Sequence, residues 1–293
     1  MIIGVIGVYL LVVLAIGGLS HRLSRGTGED YFVASRTIGP FLLLMSLFGT
    51  NMTAFSILGA SGAAYTRGIG VFGLMGSSSA IVIPAIFLFV GTRVWRLGKL
   101  HGYVTQAQFF RDRFQSDAVG LLTFILLTLL VVPYLLIGVM GGGITAHQVS
   151  GGDIPEWVGS LSVCVVVLVY VCFGGLRGTA WVNAFQTVVF MTLGALTVTI
   201  IVSDHGGLSQ TLSRLQTVAP NLLHREGSFG TAEFASYTVI PLSAGMFPHL
   251  FMHWLTARRV ETFKWPIVLY PLCIAVVWVP SVLLGVVGRL DFA

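Results

Sequence analysis

The chain has 293 residues, 55% of them hydrophobic and only 9% charged, and a mean hydropathy of +0.91. No ordinary water-soluble domain has that balance, so the sequence is that of a polytopic membrane protein, all-α by its long apolar runs. A net charge of +5 and a pI near 9.4 do not point to nucleic acid, because the basic residues sit in short loops between apolar spans, where membrane orientation accounts for them.

In chain order, apolar stretches predict membrane helices over 2–19, 40–62, 71–91, 119–147, 157–173, 182–202, 235–255 and 266–287, about eight in all. The first is not a cleavable signal, since no cationic segment precedes it. Arg22 and Arg25 follow it, which predicts an amino terminus outside the cell membrane. Alternating the loops from there leaves only Arg67, Arg214, Arg225 and Arg289 outside, and the other twelve of the 16 Lys and Arg fall on the cytoplasmic side. The segment 97–114 is polar with interleaved aromatics and is expected to be an interfacial helix. The loop 203–234 carries LSQTLSRLQTV, whose spacing predicts a short amphipathic helix.

The second span departs from what lipid tolerates. Its centre holds Gly49, Thr50, Asn51, Met52 and Thr53, roughly 15 Å from Pro40 at about 1.5 Å per residue and so near the midplane of a ~30 Å hydrocarbon core. A polar break at that depth persists only where protein or a cavity covers it, and main-chain carbonyls freed there can coordinate a cation. The alternative is that Asn51 and Thr53 bridge neighbouring helices while Gly49 permits close packing.

Later spans carry comparable features. Pro133, Tyr134 and Gly138 sit inside 119–147; a kinked packing helix is one reading, and a phenol offered to a solute is the other. After Phe173 a short Gly-rich turn with Arg177 leads into a helix holding Asn183 and Gln186, amides on one face that need partners. The seventh span contains Pro241, Ser243, Gly245 and Pro248, so it is expected to be interrupted too. His249 and His253 lie one turn apart, but without HExxH or a third ligand they do not form a zinc site. Cys164, Cys172 and Cys273 fall in apolar stretches and are expected to stay unpaired.

Gly49-Thr-Asn-Met-Thr53 continuing to Leu58-Gly-Ala-Ser-Gly62, Tyr65-x-x-Gly68, and Phe173-Gly-Gly with Trp181 and Gln186 resemble the sodium:solute symporter family, as does EDYFVASR over 29–36. The resemblance implies one transmembrane transporter domain over 1–293: an extra amino-terminal helix (1–20), a first five-helix repeat (40–202) and the start of an inverted second repeat (235–293). It implies sodium-coupled uptake of a small organic solute by alternating access, with sodium as the coupling ion, no cofactor, and a sodium site carried onto Gly49 and Met52 with Asn51 and Thr53 beside it. The solute is expected between the two broken helices, near Thr50, Phe55, Tyr134, Ser243, Met246 and His249, with Asn183 and Gln186 in coupling or gating.

The sequence departs from the family pattern in two ways. It stops after the second helix of the second repeat, before the helix expected to supply hydroxyls to the sodium site, so the chain is expected to be truncated at its carboxyl end. Asn51 and Asn183 stand where some members have carboxylates, and no intramembrane Asp or Glu offers a proton relay. Met246-Phe-Pro-His249 with Arg258-Arg259 looks like relatives that carry small carboxylates or pantothenate; amino acids are a further candidate. The partners implied are sodium, a small solute and the lipid bilayer, with no nucleic acid. Competing readings are a passive channel, a membrane solute sensor or a non-transporting fragment; an intramembrane enzyme lacks HExxH, GxSxG or paired aspartates.

Overall fold

A computed structural model describes residues 2–22, 26–52, 54–224 and 229–292. Its architecture is helical throughout, and the only strand-like feature among the described residues is one parallel bridge between Ile38 and Ala257. Among the described residues, five helices are long and apolar enough to cross a membrane. Of these, α1 (Ile2–Arg22) comes first, followed by a short helix α2 (Gly28–Val33) whose amino end is capped by the Thr27 hydroxyl accepting from Asp30 N–H.

The next span is broken. Helix α3 (Pro40–Asn51) starts with proline at a position where the missing N–H is harmless and ends where Met52 turns extended (φ −87°, ψ 111°). A short 3₁₀ turn, Ala54–Ser56, precedes α4 (Leu58–Arg67). The interruption therefore begins at Met52, three residues after Gly49, which stays helical.

Helix α5 runs from Phe72 to His101, ten residues beyond the apolar run that marks it in sequence. Its extension is amphipathic: Val94, Trp95 and Gly98 are buried, while Arg93, Arg96 and Lys99 are exposed. It ends at Gly102 (φ 74°), and Thr105 with Gln108 forms a capping box that starts α6 (Gln106–Arg113). The expected single helix over 97–114 is thus divided. Helix α7 (Asp117–Val149) is largely unburied within this chain.

Helix α8 spans Glu156–Asp204, about twice the length a bilayer needs, and changes direction at Gly175 (φ 54°, ψ −153°). Tyr170 and Val182, twelve residues apart, share one cluster with Val13 of α1, so the two arms fold back around the α1 end. A side chain at Gly175 would strike Tyr31 of α2. The expected glycine-rich turn between spans is a single residue. Helix α9 (Leu208–Val218) is the predicted amphipathic piece, with Thr211 and Leu215 buried. The last part repeats the break: α10 (Thr231–Val239), a 3₁₀ segment Ile240–Met246, extended Phe247, α11 (Pro248–Leu255), then the long α12 (Lys264–Asp291).

The core lies where α3, α5, α11 and α12 meet. Tyr270 of α12 is fully buried, with Phe48 and Phe87 edge-on at 5.2 and 5.3 Å, and Phe87 in turn meets Trp254 at 6.0 Å. This aromatic cluster fixes the two interrupted helices side by side.

Candidate functional site

Each interrupted helix loses its internal hydrogen bonding at the break, and the two breaks face one cavity. The end of α3 leaves its final carbonyls without N–H groups from a following turn. Thr50 O instead accepts a hydrogen bond from the Tyr134 hydroxyl at 3.3 Å, which ties α7 to the break. Asn51 Nδ2 donates to the Tyr270 hydroxyl at 2.7 Å.

Gly49 acts through closeness. A Cβ there would lie 2.3 Å from Thr187 Oγ1 and 2.9 Å from the Asn183 carbonyl, so only glycine lets the second arm of α8 approach α3 this tightly. Thr187 Oγ1 donates to Met45 O at 3.1 Å and locks the contact. Asn183 is buried on the same arm, its Nδ2 without a protein partner, whereas Gln186 hydrogen-bonds Tyr9 of α1. Thr53 lies outside the described residues.

A cavity of about 260 Å³ opens on one side of the break. Asn51, Met52, Phe55 and Ser56 contribute from the first broken helix, Pro241, Ala244 and Phe247 from the second. Met75, Ser79 and Ile83 of α5, Tyr134 of α7, Tyr237 of α10, Ile240, and Ile274 and Trp278 of α12 complete the wall. A second space of about 590 Å³ lies behind the break and is bordered by Tyr9, Gly49, Gln186 and again Met52 and Ser56. Met52 and Ser56 thus border both cavities.

Of the residues expected around a solute, Phe55 and Tyr134 line the cavity, and Thr50 is tied to Tyr134 through its carbonyl. His249 sits one layer back, its ring stacked on Tyr134 at 5.0 Å and its buried Nε2 without a partner. Ser243 and Met246 do not belong to this cavity: both are exposed, and Ser243 Oγ donates to Ile240 O. Pro241 and Ala244, three residues apart in the 3₁₀ segment, line the cavity with Ile240 and the extended Phe247, while Ser243 and Met246 are exposed. Tyr270, Trp278 and Thr187 were not among the expected residues. Thr187 is one helical turn from Asn183 and could have been found by that spacing; nothing in the apolar pattern of α12 distinguishes Tyr270 or Trp278.

The chain is similar to known proteins along most of its length. The Escherichia coli (strain K12) sodium/pantothenate symporter is 28% identical over 292 residues, covering 96% of this chain and 59% of that protein. The uncharacterized symporter YhjB of Bacillus subtilis (strain 168) is 26% identical over 278 residues, 92% of this chain and 55% of its own. The chain therefore spans between half and two thirds of the length of these relatives. A solved structure of a Na+-coupled sialic acid symporter in a substrate-bound outward-open state superposes with a TM-score of 0.80 at 14% identity, over 99% of this chain and 60% of that one. The two share the fold. The sequence profile of the Sodium:solute symporter family matches residues 31–293, and the chain belongs to that family of membrane transporters.

Proposed function

We propose that this chain supplies the ion- and solute-binding half of a sodium-coupled symporter that accumulates a small organic solute by alternating access. The observation that carries the reading is the interruption that begins at Met52, with Met52 and Ser56 bordering cavities on both sides and a second interrupted helix across one of them. A cation suits the carbonyls at the end of α3: these carry the negative end of the helix dipole, and none of the described residues lining the two cavities is a Lys or Arg that would repel it. In this reading Gly49 and Met52 offer main-chain oxygens, Asn51 and Thr53 flank them, and Asn183 and Gln186 transmit the state of the site to α8 and α1. The solute occupies the cavity beside Thr50, Phe55 and Tyr134, backed by His249.

The repeat division is part of the proposal: α1 as an added helix, 40–202 as the first repeat and 235–293 as the opening of a second, inverted one. So is an orientation with the amino terminus outside, which places the Arg36 end of the molecule in the cytoplasm. The solute candidates are a small carboxylate, pantothenate or an amino acid. A membrane solute sensor would use the same cavity without net movement.

Proteoliposomes holding the chain test the reading directly. Accumulation of a candidate solute is expected to follow an imposed inward sodium gradient and to vanish when sodium is replaced by choline. Sodium-dependent solute binding without accumulation would favour the sensor, and indifference to sodium in both measurements would sink the coupling.

A further inference from the structure

Helix α5 outlasts the bilayer. Its 30 residues rise about 45 Å at about 1.5 Å each, against a hydrocarbon core of ~30 Å. Counted from Phe72, Arg93 lies roughly 31 Å along the axis and Arg96 and Lys99 roughly 36 and 40 Å, so the charged end leaves the hydrocarbon and enters the headgroup layer. There the helix has two faces. Val94, Trp95 and Gly98 are buried, and they fix it to the end of α11: Trp95 Nε1 donates to Ala257 O at 2.7 Å, and a Cβ at Gly98 would strike the Leu255 side chain. The other face carries Arg93, Arg96 and Lys99 with Leu97 and Leu100 between them, all exposed, Leu100 by 74%.

The three cations make no ion pair with a carboxylate among the described residues; Lys99 lies over the Trp95 ring at 5.2 Å instead. The turn Val260–Phe263 packs on the same stretch and is flanked by exposed Arg258, Arg259 and Lys264, with Glu261 the one acid between them. Trp265, next in the chain, is 43% exposed, an amphipathic ring of the kind that settles at headgroup level. A row of unpaired cations interleaved with exposed leucines at that depth matches a surface of anionic phospholipid: phosphates meet the cations, and the upper acyl chains cover the leucines. A soluble polyanion would leave the leucines in water. We propose that the last ten residues of α5, Thr92–His101, form a docking face for the headgroups of anionic phospholipids. The face does not depend on sodium coupling. Because its reverse side is fixed to the end of the second interrupted helix, lipid bound there stabilises the folded chain.

The test places the whole chain in nanodiscs of phosphatidylcholine in which phosphatidylglycerol is substituted stepwise, with the thermal unfolding midpoint as readout. Phosphatidylglycerol is expected to raise the midpoint, and high salt to shrink the rise. Each cation near an anionic surface is worth about fivefold in binding, so Arg93→Gln with Arg96→Gln should weaken the lipid effect roughly twentyfold and remove most of the rise. Arg22→Gln with Arg113→Gln removes the same charge from exposed positions on other helices and should keep it. Leu97→Gln with Leu100→Gln leaves every cation in place and should lower it. Arg96→Gln alone, with about a fivefold loss, carries the test where the double variant does not fold. The proposal is overturned by no rise with phosphatidylglycerol, a full rise in the Arg96→Gln or double-arginine variant, an equal loss in the Arg22 and Arg113 control, or indifference to the leucine changes. Soluble glycerol phosphate or polyglutamate raising the midpoint as far in pure phosphatidylcholine would overturn it too, by assigning the face to a soluble anion or an acidic protein.

Discussion

The two interrupted helices are tied together at both ends, and the two ties are built from opposite chemistry. At one end Arg67, closing α4, makes a two-pronged pair with Glu233 in the first turn of α10, both contacts 2.8 Å, while its guanidinium lies 4.1 Å from the Phe229 ring centre. Both side chains are about one third exposed. At the other end the tie is main chain: Ile38 N–H donates to Thr256 O at 3.1 Å and Arg258 N–H to Ile38 O at 3.0 Å. Arg36 adds donations to Leu255 O and Tyr103 O, and Arg177 reaches Asp30, which is 1% exposed, at 2.5 Å. An exposed pair competes with water and salt; a buried hydrogen-bonded set does not. The molecule is therefore set to part more readily at the Arg67 end than at the Arg36 end.

Backbone conformation deepens the contrast. Ala34, Ser35 and Arg36 all have positive φ (51°, 48° and 53°), a run that disfavours residues with a Cβ by roughly 1–2 kcal/mol each. The turn persists because its groups are held from several sides: Ser35 Oγ donates to Asp30, Arg177 and the Thr37 hydroxyl both donate to Ala34 O, and Arg36 spans to two other segments. Breaking this set is expected to have the largest effect. Arg177→Met leaves the Asp30 carboxylate buried without its cation and should remove about 3–5 kcal/mol of stability. Chemical denaturation in detergent should show that loss. A variant as stable as the parent would mean the Asp30 site is wetter than its burial implies.

Next in size is the contact behind the break. Gly49→Ala places a methyl into Thr187 Oγ1, where overpacking of this kind costs about 1–3 kcal/mol, and pushes α3 off α8. Both stability and the sodium-induced rise in unfolding temperature should fall. Retention of the full sodium response would show that tight α3–α8 packing is not needed to shape the ion site.

Asn51→Leu follows. The Tyr270 hydroxyl loses the amide that donates to it, with a loss of about 1–3 kcal/mol for a buried polar group left unmet, and the end of α3 loses its anchor to α12. Sodium affinity measured by thermal shift is expected to drop. Unchanged sodium dependence would count against placing the ion beside Asn51.

These positions also show how much a reader of the sequence could see. Both interruptions were legible because polar, glycine and proline residues have no other reason to sit at membrane depth, as at Thr50–Asn51 and Pro241–Pro248. Their register was less so. Gly49 marks a close approach and remains helical, so the chain leaves the helix only at Met52. Ser243 and Met246 were expected near the solute, and both are exposed, since prolines and glycines mark an interruption but not which of its side chains turn inward. The far end of α5 was missed since hydropathy stops at Gly91 while an amphipathic helix continues to His101. Tyr270 and Trp278 were invisible for a different reason. An all-round apolar helix such as α12 does not announce which face meets a cavity; that is set by remote packing.

The smallest expected effect returns to the exposed tie and tests the contrast itself. The hydrogen bonds from Arg67 hold the Glu233 carboxyl below the usual carboxylate range. A carboxyl depressed in the folded state stabilises the fold above its ordinary titration range, and that contribution is lost as pH falls through the lowered folded value. Acidification from neutral through the carboxylate range should therefore lower the amide protection factors, that is exchange corrected for the intrinsic rate at each pH, in Leu58–Arg67 and Thr231–Val239, while protection around Ile38 and Ala257 changes less. Glu233→Gln should show the lower protection already at neutral pH and lose most of its pH dependence, and high salt should act on the parent in the same direction because the pair is exposed. An equal loss of protection at both ends in the parent would mean that acid loosens the whole bundle and that the Arg67 end is not the weaker of the two.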